Sequence, residues 1–272
     1  MRRLFLVAAM WGAVNAAQAA DMPDLPILRG SFSEGVGIVN WQGAYIGAHG
    51  AYGTSNMNFT GSTRSVAARL MDGLEMEQIQ RISEWPVMGK VSVHGSGFGG
   101  FVGYNWQWTD TVVGLEFNYT HGKFGGSQTG SMSRFFTLPS GYTDSVTYQG
   151  TARMNISDMG TLRMRGGYAY GPFLPYLFGG IALGQADIIR TARVFGTQVN
   201  PAAAPGFQNV PFDLSATDAQ YAHLIYGYSL GLGTEVMLMS GLFMRAEWEY
   251  VRFTSSVDTS INTVRAGLGY KF

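Results

Sequence analysis

The sequence contains no cysteine, which excludes disulfides, Cys-ligated zinc, iron–sulfur clusters and cysteine nucleophiles. Charge is scarce as well: Asp, Glu, Lys and Arg make up 13% of the residues, about half the share of an ordinary globular domain. The eighteen basic residues balance the eighteen acidic ones. No basic run is available to neutralise phosphates, so nucleic acid is not an expected partner. Beyond the first twenty residues there is no apolar run long enough for a helical membrane span. What the chain does have is glycine, 38 residues of it, and aromatic side chains at 14%. So many aromatics argue against disorder, and so little Glu and Lys argues against a solvated helical bundle. The balance suits short strands whose two faces meet different solvents.

Arg2 and Arg3 form a charged start, Leu4 to Val14 is apolar, and Ala17-Gln18-Ala19 offers a small-residue cleavage site. This is the layout of a secretory signal peptide. The alternative, a transmembrane anchor, needs about 20 apolar residues. Removing residues 1–19 leaves 253 residues at formal charge −2. Residues 20–40, with Pro23 and Pro26, have no clear period and read as a periplasmic linker or plug-like tail ahead of a domain over 41–272.

From Trp41 onward, eight segments alternate with a period of two, the signature of strands. Thr111 to Thr120 is the clearest: Val113, Leu115, Phe117 and Tyr119 on one face, Val112, Gly114, Glu116, Asn118 and Thr120 on the other. Gly97 to Trp108 places Phe98, Val102, Tyr104, Trp106 and Trp108 together, with Phe101 the exception. The others are Gly43 to Gly53, Met154 to Tyr170, Phe173 to Gln185 (both faces apolar), Ala222 to Glu235, Leu242 to Val251 and Thr263 to Phe272. Short connections at 109–110, 171–172 and 239–241 alternate with long ones at 54–95, 121–153, 186–221 and 252–262. Alternating turns and long loops, with an even strand number, fit an all-β, eight-stranded antiparallel up-and-down transmembrane barrel. A soluble sandwich shares the period but would bury the apolar faces. Aromatics at the strand ends (Trp106, Trp108, Tyr119, Tyr168, Tyr170, Tyr270, Phe272) and loops far above the usual 4–6 residues favour the barrel.

The entry segment Trp41-Gln42-Gly43-Ala44-Tyr45-Ile46-Gly47, the stretch Gly160-Thr161-Leu162-Arg163-Met164-Arg165-Gly166-Gly167-Tyr168, Leu174-Pro175-Tyr176 with Gly179-Gly180, and the closing Asn262 to Phe272 carry a resemblance. The chain resembles the OmpA-like, eight-stranded porin-family and outer-membrane immunogenic proteins of alphaproteobacteria. The resemblance implies an outer-membrane location among lipids, a structural role in the envelope, and surface-exposed loops. It also implies that Tyr270 and Phe272 act as a signal to the outer-membrane assembly machinery. The 54–95 loop is longer than the family usually has.

The inner faces would hold Glu116, Arg163, Arg165, Glu235, Arg245, Glu247, Glu249, Arg265 and Lys271. An eight-stranded barrel is just wide enough for side chains to fill, and unpaired buried charges are costly. These groups therefore form either an ion-paired plug or a narrow ion path. A catalytic reading finds little: His94 precedes Ser96 beside a loop, and His223 and Ser229 share a face but lie about 20 Å apart along a strand. Gly95 to Gly100 matches G-x-G-x-x-G but opens a strand rather than a helix. No metal-ligand spacing and no cofactor motif is present. In the first loop Val66, Leu70, Leu74 and Ile79 stand near helical spacing, broken by Gly73, so 64–82 is either a short helix over the barrel mouth or a mobile loop. The 196–219 stretch, rich in Pro and Ala, reads as irregular. Tyr142, Tyr148 and His121 lie in or beside loops and are the candidates for binding surface ligands, including the haem capture that the resemblance implies for some relatives.

Overall fold

A computed structural model describes residues 39–272 of the protein. The proposed signal peptide and nearly all of the proposed linker lie outside the described residues. Eight strands close into a ring in sequence order: β1 Gly43–Asn58, β2 Lys90–Trp108, β3 Thr111–Thr137, β4 Thr143–Tyr168, β5 Phe173–Val199, β6 Asn209–Met239, β7 Leu242–Thr254 and β8 Asp258–Lys271. Every pairing is antiparallel, and β1 closes on β8 from Tyr45↔Lys271 to Asn58↔Asp258. Closure leaves no unpaired edge in this part of the sheet, as a barrel in hydrocarbon requires.

The outward rows are those the period dictates. Phe98, Val102, Tyr104, Trp106 and Trp108 of β2, and Leu115, Phe117 and Tyr119 of β3, are exposed on the outside. Phe101 turns inward and is buried, which accounts for its break in the β2 pattern. In β1, Ile46 and Tyr52 point out while Tyr45 and His49 are buried. The two-sided apolar pattern of β5 resolves into Phe173, Leu177, Ile181 and Leu183 outside and Leu174, Tyr176, Phe178 and Ala182 inside.

The short connections are tight turns. Thr109 takes φ 54°, Gly171 56° and Gly241 81°. Such positive values strain any residue with a Cβ, so glycine suits the latter two. The long connections differ from expectation. Segments 121–153 and 186–221 are mostly strand: β3 and β4 run on to a turn around Leu138–Tyr142, and β5 and β6 to one spanning 200–208. The 196–219 stretch is therefore irregular only in part, since β6 begins at Asn209.

Two events at one level hide these extensions from a period-two reading. Bulges interrupt the register, between Ile156 and Asp158 in β4 and at Ala222 of β6, which takes φ 51° opposite the Ala186/Ile188 step. A bulge shifts the alternation by one residue. In β4 the inward row changes from Thr161, Arg163 and Arg165 below to Ile156, Met154, Ala152, Tyr148 and Val146 above. At the same level the polarity reverses. Above the bulges the outer face carries polar ladders, Thr129–Thr151 at 3.0 Å, Ser133–Thr147 at 2.8 Å and Thr191–Thr217 at 3.0 Å, while the inner face is mostly apolar, with Asp144 and the Arg190–Asp218 pair set into it.

The first connection folds into α1 (Arg64–Leu70), α2 (Glu75–Gln80) and a 3-10 turn (Ile82–Glu84). Of the two readings of 64–82, the helical one holds, as two short helices parted at Gly73, which takes φ 79°. Val66, Ala67, Met71, Met76, Ile82 and Trp85 pack against Val146, Tyr148, Ala192 and Val194 of the raised sheet. Ile79, placed in the apolar stripe by its spacing, is instead exposed. No helix among the described residues is long and apolar enough to cross a membrane, which says nothing of the strands.

Candidate functional site: the filled lumen

Eight charged side chains meet inside the lower half of the barrel, four arginines and four glutamates, none more than 4% exposed. Strand register places them. Glu116 of β3 faces Arg163 of β4, Glu235 of β6 faces Arg245 of β7, and Glu247 of β7 faces Arg265 of β8. Glu116 is the hub. Its carboxylate accepts from Arg163 Nε at 2.9 Å, Arg245 Nη2 at 2.7 Å and the Tyr45 hydroxyl at 2.8 Å, with Arg165 Nη1 at 3.4 Å. Arg165 grips Glu235 with two parallel bonds of 2.7 Å, the bidentate geometry that favours arginine over lysine. Glu235 also accepts from Arg245 Nε at 2.9 Å. Arg163 Nη2 reaches Glu247 at 2.7 Å, and the Tyr176 hydroxyl donates to the same carboxylate at 2.6 Å. Glu249 pairs with Arg265, whose Nη1 donates to Asn118 Oδ1 at 3.0 Å.

Aromatic faces complete the cage. The guanidinium carbon lies 3.7 Å from the Phe101 ring centroid in Arg245, 3.9 Å from Tyr176 in Arg165 and 4.1 Å from Phe178 in Arg163, placing each cation over a ring quadrupole. Glycine makes the room. A Cβ on Gly233 would come within 2.7 Å of the Tyr176 hydroxyl oxygen and 2.9 Å of Glu247 Cγ. Glycines facing inward thus admit the large side chains of neighbouring strands.

Apolar layers lie on either side. At the turn end Trp41, Tyr45, Phe101, Val112, Leu174, Tyr176, Phe178 and Phe243 pack together. Toward the hairpin end Met57, Phe59, Phe124, Met154, Ile156, Ile188, Ile225, Phe253 and Ile261 fill the cross-section. Above them sits the helix-capped core already described. Tyr148 there donates to or accepts from Thr63 Oγ1 at 2.7 Å, and burial raises its pKa.

The structure brings together eight of the nine inner charges read from the alternation, and excludes Lys271. That residue is half-buried at the turn-end rim, where its Nζ donates to the Gln42 carbonyl at 2.9 Å. Sequence reasoning missed the part played by the Tyr45 and Tyr176 hydroxyls, because aromatics in such strands are first assigned to lipid. An inward parity, as at Phe101, is the signal that could have found them. Tyr142, Tyr148 and His121 do not converge: Tyr148 is in the capped core, Tyr142 is half-buried near Asn200, and His121 stands exposed beside Asp158 Oδ1 at 2.8 Å. His223 is exposed beside the Ala222 bulge and Ser229 is buried six residues further along the same uninterrupted ladder. Gly95 to Gly100 lies within β2, not ahead of a helix. Among the described residues no group of three or more His, Asp or Glu is placed to hold a metal ion.

An apolar outer belt, aromatic rims and a polar, ion-paired interior define a membrane-spanning β-barrel. The chain belongs to the outer membrane protein beta-barrel domain family, whose model matches residues 6–272. It is 25% identical over 245 residues to the 22 kDa outer membrane protein of Rhizobium leguminosarum bv. viciae, covering 86% of this chain and 79% of that one. It is also 25% identical over 174 residues to the 25 kDa outer-membrane immunogenic protein of Brucella ovis, covering 64% and 62%. Among solved structures it is similar to the attachment invasion locus protein Ail of Yersinia pestis, at 14% identity, TM-score 0.37, with 85% of this chain and 99% of that one covered. A further likeness is to the N-terminal barrel domain of Pseudomonas aeruginosa OprF, at 11% identity, TM-score 0.27, with 82% and 99% covered. The protein is thus an outer-membrane barrel, its short turns on the periplasmic side and its hairpins outside.

Proposed function

We propose that this barrel is a closed structural element of the envelope that holds a rigid head above the outer membrane, without turnover and without a standing pore. The observation that carries this reading is the balanced four-plus-four ion-pair network, buried and stacked beneath an apolar plug. An ion crossing it would have to displace Arg–Glu pairs that satisfy one another at 2.7–2.9 Å and then enter a layer of Met, Phe and Ile that offers no ligands. Both steps carry desolvation penalties of several kcal/mol. On the same reading the leader is cleaved near Ala19, and Tyr270 and Phe272, whose rings meet edge to face at 5.3 Å on the outside of β8, engage the assembly machinery.

The test is electrical. Folded protein, verified by a heat-dependent gel shift, is inserted into planar bilayers. Rare, small current steps at most are expected. A stable, ohmic conductance in most insertions would overturn the closed reading and restore the ion path between the charged rows.

A further inference from the structure

Just above the bulge level, the outer wall carries a groove of about 300 Å³ lined by His94 of β2, Lys123, Gly125 and Ser127 of β3, and Arg153 and Asn155 of β4. We propose that this groove binds the phosphate group of a lipid headgroup in the surrounding leaflet. The inference rests on the barrel's seat in the membrane and is independent of whether the lumen conducts.

Its height is the first argument. Descending each strand from the groove, the outward row passes Ser96 and then Phe98 on β2, and His121 and then Tyr119 on β3. His94 and Lys123 therefore stand two side chains above the aromatic edge of the apolar belt, and Arg153, level with Ser127, stands higher on the same outer face. That is where aromatic belts end and headgroups begin.

Shape and charge supply the second argument. Gly125 leaves the floor open: a Cβ there would come 2.8 Å from Asn155 Oδ1. Beyond the bulge between His121 and Phe124 the groove runs up the wall from Lys123 past the Gly125–Asn155 pair to Arg153, which pairs in register with Ser127. His94 stacks on Tyr52 with centroids 5.9 Å apart, which orients its ring at the groove's edge.

The cations are also uncommitted. Arg190, Arg193 and Arg252, elsewhere on the raised sheet and its rim, each hold an aspartate. Neither Lys123 nor Arg153 has a carboxylate within 4.0 Å among the described residues. The two acids that share this stretch of wall are already engaged. Asp158 accepts from Tyr119 at 2.5 Å and Ser157 at 2.7 Å and bonds His121 at 2.8 Å, and Asp187 accepts from the Ala222 amide at 2.9 Å. Two free cations with flanking hydroxyl and amide donors match a phosphate monoester, and the open outer side leaves its acyl chains in the belt below.

The test uses the full folded chain in non-denaturing detergent, titrated with phosphatidic acid or phosphatidylcholine and read by native mass spectrometry. The wild type should retain a first phosphatidic acid at least about tenfold more tightly than phosphatidylcholine. Lys123→Gln with Arg153→Gln should abolish that preference, at about tenfold per lost cation. Arg193→Gln, whose arginine is paired elsewhere, should leave it intact. All three proteins must first show the same heat-dependent gel shift; these outward side chains make no packing contact with the lumen. A wild type without preference, or a double variant that keeps it, overturns the site. Displacement of the lipid by inorganic phosphate at comparable concentration would reassign the groove to free phosphate and overturn the lipid proposal.

Discussion

The lower and upper halves of this molecule are built from the same strands and obey opposite rules. Below the bulges Leu115, Phe117 and Leu162 face out, and Glu116, Arg163 and Arg165 face in. Above them Thr129, Thr151 and Thr217 face out, and Phe124, Met154 and Val194 face in. The backbone is an antiparallel sheet throughout, so the inversion belongs to the solvent rather than to the fold. Lipid rewards apolar surface and forces charges to pair inside; water does the reverse. Bulges at Ser157 and Ala222 sit at the exchange, where two strands change which parity points inward.

The comparison is broken most severely by removing a charge from the lower half. Glu116→Ala strands three arginines, Arg163, Arg165 and Arg245, that share its carboxylate. Taking one partner from a buried ionic cluster costs about 3–5 kcal/mol. The variant should lose its heat-dependent gel shift at much lower urea than the wild type, and a midpoint within error of wild type would show that the network is not what holds the lower half. An equal truncation in the upper core is expected to act locally. Hydrogen exchange should rise in the raised hairpins while the barrel below stays protected, because the two cores occupy different levels of the strands.

A lysine walked up one outward row sharpens the contrast. At Leu115, 45% exposed and within the apolar belt, lysine meets acyl chains and should cost about 2–4 kcal/mol near the bilayer middle. At Thr129, the fifth outward position beyond Tyr119, the same change meets water and should stay within about 0.5 kcal/mol. Urea unfolding of each variant in lipid vesicles checks both. Equal penalties at the two sites would mean that the upper sheet is not in water.

This inversion also explains what the sequence made legible. The lower half could be read almost residue by residue, down to the eight inner charges, because its rows alternate without interruption and its outward face is greasy. The period fades near Met154 and Ala222 because the bulges of β4 and β6 slip the phase there, and at Thr120 and Gln185 the phase holds but the outward face turns polar, to Thr, Ser and Gln. Those residues resemble loop composition when solvent side and core side are not known in advance. The helices over 64–82 were half-legible for a related reason. Gly73 marks the break, but which face is buried depends on Val146, Tyr148 and Val194, residues far along the chain that only the closed barrel brings near. Lys271 shows the opposite failure: its parity is inward, yet it lies so near the rim that its amine reaches the Gln42 carbonyl rather than the lumen.

Asp144 is an exception that tests the upper rule, because unlike the inward Arg190–Asp218 pair it has no ionic partner among the described residues, and its effect should be the smallest. It sits on the inward row of β4, fully buried beneath the helices, with neither carboxylate oxygen holding a side-chain or backbone donor within bonding geometry. Burial raises its pKa, with the charge of Glu75 adding to the rise. The sign follows from linkage. A carboxyl with a raised folded pKa binds its proton more tightly in the native state, so stability falls as pH climbs from about 3.9, the unfolded value, through the folded one. Asp144→Asn keeps the shape and removes the titration. Across that window the wild type should lose stability relative to the variant, measured as the difference between their urea midpoints at each pH, and the two curves should run parallel above it. A difference that stays constant from acid to neutral pH would mean the carboxylate has found a partner in solution, and that the raised sheet tolerates inward charge as readily as the barrel beneath it.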